Sequence, residues 1–128
     1  MNPHILFVDD DAKLCEILAL YFEAKGFTVT TAGSPQTAQE LLGKTHFDLA
    51  ILDVNLNGAS GLDLLDVSKT ICPELPVIMF TGLDVDENLV KQTLRGRAEG
   101  IIPKTGSLEG LVSAVRWHIA KTAPSMAN

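Results

Sequence analysis

Five short apolar runs, each followed by a helical pattern, constrain this chain more than any other feature. They lie at 4–8, 27–31, 47–55, 76–80 and 98–102. The third begins as an apolar run and carries Asp53 where it gives way to Asn, Gly and Ser. A parallel strand covered on both faces reads as such a run. The helical patterns carry their own start and stop signals. Leu14, Ile17, Leu18, Tyr21 and Lys25 share one face of the first, which Gly26 ends. Ser34 and Pro35 open the second, with Ala38, Leu41 and Leu42 inward and a stop at Gly43. Ser60 caps the third, which bears Leu62, Leu65 and Ser68/Lys69 and ends before Pro73. Leu89, Val90, Thr93 and Leu94 mark the fourth. Ser107 caps the fifth, with Leu108, Leu111, Val112, Val115 and Ile119 inward. Strands alternating with helices predict right-handed crossovers and a parallel sheet, a doubly wound α/β domain.

Composition narrows the class further. A chain of 128 residues, 46% hydrophobic and 20% charged, is expected to form one globular domain. The expected domain is 1–121, with 122–128 as a tail or the start of a linker. Net charge is −6 and no basic stripe is present, which argues against direct nucleic-acid binding by this chain. Cys15 and Cys72 have no metal-like spacing and are read as buried or half-buried free thiols. No run is long enough to span a membrane and no signal peptide precedes the first strand, so a cytoplasmic location is expected.

The chemistry lies where the runs end. The first ends in Asp9 and Asp10, the third in Asp53, the fourth in Thr81 and the fifth in Lys104. In a parallel sheet these ends share one rim, where ligands bind. Each residue alone has an ordinary explanation. Acids favour helix starts, which is enough for Asp11, Thr81 suits a turn and Lys104 suits a solvated loop. Their coincidence at successive strand ends is not ordinary. Clustered carboxylates repel unless a cation joins them. Hard oxygen donors favour Mg²⁺, a lysine attracts phosphoryl oxygens, and a hydroxyl can donate to one. A carboxylate can itself be the nucleophile and form an aspartyl phosphate. The set suits phosphoryl transfer to Asp, where positioning and charge neutralisation dominate catalysis.

On these residues the chain resembles a response regulator receiver domain over nearly its whole length. The matching features are Asp9-Asp10 after Ile-Leu-Phe-Val, Asp53 in Ile-Leu-Asp, Gly61, Thr81 after Val-Ile-Met-Phe, and Lys104 after Ile-Ile-Pro. The resemblance implies a flavodoxin-like sheet in the order 2-1-3-4-5 with five helices. It implies that Asp53 is the phosphoacceptor in a two-component system, served by a histidine kinase or a phosphotransfer protein. Asp9, Asp10, Asp53 and the backbone carbonyl of Asn55 would hold Mg²⁺ or Mn²⁺. Lys104 would bind the phosphoryl group, and Thr81 would carry the switch to the surface of the fourth helix, fifth strand and fifth helix. A homodimer and an output domain beyond residue 128 are further candidate partners.

Four positions depart from the family's usual pattern. Asn57 stands where a proline is common, which is expected to cost loop rigidity without touching the chemistry. Thr105 follows Lys104 where a proline is common, so a trans bond is expected there. Gly82 replaces a small Ala after Thr81, which is expected to loosen the switch loop. Ile101 stands where a Tyr or Phe usually changes rotamer, so the signal is expected to rely on Thr81 and the following helix. Trp117 lies nine positions after Leu108, opposite the apolar stripe, and with Arg116 is the candidate contact for a partner.

Three rival readings are open to the sequence. A degenerate receiver would act as a phosphorylation-independent interaction module; the complete acid–Thr–Lys set argues against it, while Ile101 and Thr105 speak for it. An Asp-nucleophile phosphatase of the haloacid dehalogenase type needs a second Asp where this chain has Asn55, and places its acid pair last. A flavin-binding protein of this fold would not place acids after the first strand. The expectation is a self-phosphorylating and autodephosphorylating receiver, with no turnover of an external substrate.

Overall fold

The computed structural model describes residues 2–82 and 85–122. In chain order the elements are β1 (His4–Val8), α1 (Ala12–Ala24), β2 (Thr28–Ala32), α2 (Pro35–Lys44), β3 (Leu49–Asp53) and the two-residue strands β4 (Asn55–Leu56) and β5 (Ala59–Ser60). They continue as α3 (Gly61–Ile71), β6 (Val77–Thr81), α4 (Glu87–Arg95), β7 (Gly100–Pro103) and α5 (Leu108–Thr122). The main sheet is parallel in the order β2-β1-β3-β6-β7. Leaving aside the small β4–β5 hairpin, this is the flavodoxin-like 2-1-3-4-5 order.

Side-chain alternation along the strands divides the interior into two layers. Ile5, Phe7, Leu49, Ile51, Ile78 and Phe80 face α1 and α5. Leu6, Val8, Ala50, Leu52, Val77 and Met79 face α2 and α3. All five residues of β3 are buried, as a central strand packed on both faces requires. Each large aliphatic side chain so buried contributes about 1.5–3 kcal/mol. The caps match the sequence reading. Ser34, Ser60 and Ser107 accept hydrogen bonds from Thr37, Leu62 and Gly110 amides, and Asp11 caps α1 through Leu14.

Two expected inner-face residues lie outside. Ile17 is 45% exposed and Leu94 is 66% exposed. At 100° per residue Ile17 stands about 100° from Leu18, off the buried line of Cys15, Leu18 and Phe22. On α4 the buried position is Thr93, so Leu94 is turned to solvent. The third run also yields a shorter strand than expected, because Asn55 leaves the sheet for β4. The expected tail has its last residues, 123–128, outside the described part.

The rim where the strands begin is tied by a sheltered ion pair. Lys69, only 4% exposed, donates to the Leu75 carbonyl at 2.7 Å and meets Glu99 Oε1 at 3.0 Å. Glu99 Oε1 also accepts from the Val77 amide at 2.7 Å. One pair thus joins the end of α3 to the starts of β6 and β7. Removing either partner strands the other charge, and the cost is greater when the stranded group is the buried Lys69 than when it is the part-exposed Glu99, which keeps the Val77 amide. Glu99→Ala is therefore expected to cost about 2–3 kcal/mol, and Lys69→Met about 1 kcal/mol. Urea denaturation of the two variants measures both, and equal losses would contradict the ordering.

Candidate functional site

The opposite rim gathers the residues singled out by the sequence. Asp9 follows β1, and its amide extends the strand pairing by donating to Ala32 O at 3.1 Å. Asp53 ends β3, next to β1 in the sheet. Lys104 follows β7, and its amide donates to Thr81 O at 2.7 Å. Register therefore brings side chains from the ends of three strands to one place. A cleft of about 480 Å³ is lined by Asp9, Asp10, Asp53, Asn55, Asn57 and Lys104, with Asp11, Gly58 and Gly82 beside them.

Within the cleft Lys104 Nζ lies 2.7 Å from Asp9 Oδ2 and 2.9 Å from Asp53 Oδ2. The other oxygen of each acid is held by backbone. Asp9 Oδ1 accepts from the Asp11 amide at 2.9 Å, and Asp53 Oδ1 accepts from the Asn55 amide at 3.2 Å. Asp9 and Asp53 are buried and Asp10 is exposed. Gly61 has a role its sequence context did not reveal. A Cβ there would collide with the Asp53 carbonyl, so only glycine lets α3 start this close to the acceptor strand.

Burial pushes the Lys104 ammonium towards a lower pKa, and the hydrogen bonds and charges of Asp9 and Asp53 outweigh it, leaving it above its ordinary 10.5. The lysine is thus cationic throughout the physiological range. Cys15 donates its thiol to Asp9 O at 3.3 Å. Burial, then the charges of Asp9 and Asp11, raise that thiol to about 11, so at neutral pH it is an unreactive packing group.

Oxygens of Asp9, Asp10 and Asp53 lie within 4.8 Å of one another. The partner of the buried Asp9 Oδ2 is the Lys104 ammonium at 2.7 Å. Three hard carboxylates, two of them buried, fit a divalent ion such as Mg²⁺.

The remaining expected residues lie on β6, β7 and α5. Thr81 is buried at the end of β6, opposite Pro103, and its carbonyl accepts from the Lys104 amide. Ile101 is half-buried, paired with Met79 and packed on the layer under α2 and α3. Trp117 is 59% exposed, with Lys121 Nζ 4.9 Å from its ring. Arg116 instead donates to Lys25 O at 3.0 Å and lies over Phe27, so the two do not form one patch. Described peptide bonds are trans, including Lys104–Thr105. A larger groove of about 820 Å³ lies at the far rim, between Leu42 and Ile119. It lacks the converging acids and lysine, so the smaller cleft is the chemical site.

Asn57 has a defined place in the loop. Asn57 (φ 52°) and Gly58 (φ 90°) form the tip of the β4–β5 hairpin. Two successive positive φ values are what a tight two-residue hairpin needs, and Asn-Gly is its strongest sequence signal. The dipeptide was the available clue.

The site and sheet define a class, and comparison with known proteins identifies it. Residues 5–116 match the response regulator receiver domain family, and the chain belongs to it. The chain is 36% identical over 127 residues to the regulatory protein VanR of Enterococcus faecium, covering 94% of this chain and 52% of VanR. It is 34% identical over 110 residues to the transcriptional activator protein PfeR of Pseudomonas aeruginosa, covering 86% of this chain and 35% of PfeR. It thus spans about half or less of these relatives. A CheY-like receiver domain protein from Methanospirillum hungatei superposes with a TM-score of 0.90 at 23% identity, covering 95% of this chain and 97% of that one. The protein is a receiver domain of a two-component response regulator, with no helix among the described residues long and apolar enough to cross a membrane.

Lys104 neutralises the buried acids, so its loss should be felt in stability. In metal-free buffer Lys104→Met is expected to cost on the order of 2 kcal/mol. Because the folded-state pKa is raised, this contribution is full below pH 10.5 and is lost as pH rises through the folded value. The gap between wild type and variant should therefore narrow at strongly alkaline pH. Urea titrations at neutral and alkaline pH measure it.

Proposed function

We propose that Asp53 accepts a phosphoryl group from a phosphohistidine and that this switches the protein's output surface. The observation that carries the reading is the buried Asp53 carboxylate held 2.9 Å from Lys104, beside the oxygens of Asp9 and Asp10. In the transfer an Asp53 oxygen bonds to phosphorus as the phosphorus–nitrogen bond of the donor breaks. The imidazole leaves and takes a proton from solvent or from its own protein. Asp9, Asp10, Asp53 and the Asn55 carbonyl are the residues that would hold Mg²⁺ or Mn²⁺. Such an ion, when bound, supplies neutralisation of phosphoryl charge.

Lys104 does the corresponding work from the protein's side. Its ammonium rests on the acceptor carboxylate and is in reach of phosphoryl oxygens after transfer. A phosphoryl group carries about −1.5 to −2 charge, so the acceptor's contacts must reorganise around it. Thr81 is the link outward. Its carbonyl takes the Lys104 amide and its chain leads towards α4, so closure on the phosphoryl group would shift α4, β7 and α5 between two states.

The donor is proposed to be a histidine kinase or phosphotransfer protein in the cytoplasm. A transcriptional output domain is the candidate effector, because VanR and PfeR are regulators and this chain matches only part of each. Trp117, with more than half its surface exposed on α5, is the proposed contact residue. Trp117→Ala should weaken self-association or partner binding about tenfold. Sedimentation and titration with the partner domain would detect it, and unchanged binding removes Trp117 from the surface.

The central test is incubation with acetyl phosphate and Mg²⁺, read by intact mass. Wild type should gain one phosphoryl group and Asp53→Asn none. No gain in wild type would favour the phosphorylation-independent module. Steady release of phosphate from an unrelated monoester would favour a phosphatase.

A further inference from the structure

The chain leaves β3 at Asp53 and must turn back to begin α3 at Gly61, hard against the same strand. It makes the return with a two-pair antiparallel hairpin, Asn55 opposite Ser60 and Leu56 opposite Ala59. Leu56, 2% exposed, anchors one arm in the core. The tip, Asn57 and Gly58, lies on the wall of the acidic cleft. Both tip residues have positive φ, 52° and 90°.

The hairpin holds Asn55 from two sides. Its Oδ1 accepts from the Gly58 amide at 3.3 Å, across the turn. Its own amide donates to Asp53 Oδ1 at 3.2 Å. At the other arm Ser60 Oγ caps α3 through Leu62, and the Gly61 amide donates to Val54 O at 2.7 Å. The turn at 57–58 is thus joined to the Asp53 carboxylate by one intervening residue.

We infer that Asn57 and Gly58 are positioning residues for this site, setting the Asn55 backbone that orients Asp53 and would face a bound ion. This rests on the function proposed above. Its sharpest consequence concerns position 57. Proline locks φ near −65°, on the wrong side of zero for this turn, so the residue common in related loops is incompatible here. Glycine adopts positive φ freely and keeps the hairpin. The hairpin therefore excludes proline at position 57 and tolerates glycine.

The test is Mg²⁺ affinity by calorimetry on the folded, unphosphorylated protein, alongside the acetyl phosphate rate. Groups that orient metal ligands typically alter affinity 10–100-fold when lost. Asn57→Pro is expected to weaken Mg²⁺ binding at least about tenfold and to slow phosphorylation in parallel. Asn57→Gly should stay within about twofold of wild type, because it retains the φ the turn needs. Circular dichroism establishes that each variant is folded under the assay conditions. If Asn57→Pro does not fold, Gly58→Val, which forces a β-branched residue into positive φ, replaces it with the same expectation. Wild-type affinity in the folded turn-breaking variant, or equal weakening in Asn57→Gly, overturns the assignment. Failure of wild type to gain phosphate would instead sink the functional reading, and the Mg²⁺ affinities still judge the turn.

Discussion

A single ammonium group makes the buried acids of this protein tolerable. Asp9 and Asp53 are both buried, and each directs one oxygen at Lys104. Two such carboxylates without a cation would repel each other in a medium that screens poorly. With Lys104 between them, and a backbone amide on each remaining oxygen, the pair is neutralised and oriented. Asp10 stands exposed beside them with an oxygen in reach of both, so the cleft suits a small divalent ion and an incoming anion.

That arrangement depends on backbone far from the chemistry. Lys104 reaches the acids because β7 pairs with β6 in one register, with Thr81 opposite Pro103. At the other end of the same strands, Glu99 brackets Val77 through its own amide and its side chain, and Lys69 seals the pair. The rim of strand starts is closed by an ion pair, while the rim of strand ends is left to loops and carboxylates. The two ends of one sheet thus divide the work between scaffold and site.

The loop after Asp53 closes on itself before α3 begins. An Asn-Gly tip folds the return path into a hairpin, with backbone pairing in place of a stiff proline. By residue type alone position 57 lacks a proline; in the fold it takes the positive φ that the hairpin tip needs. Ile17 and Leu94 carry a similar lesson, since apolar identity placed them inward and helix rotation placed them outside.

The alternation of apolar runs and capped helices determined the parallel α/β class, and the residues ending those runs marked the site. Both are local properties, because burial on two faces and capping by Ser or Asp leave their trace in neighbouring residues. Strand order came from family resemblance, as nothing in a run says which neighbour it will meet. What tertiary structure alone decided were relations between distant positions. These include Lys104 lying across Asp9 and Asp53, and Lys69 finding Glu99. Such contacts join segments 30 or more residues apart, where only the packed sheet sets the distance.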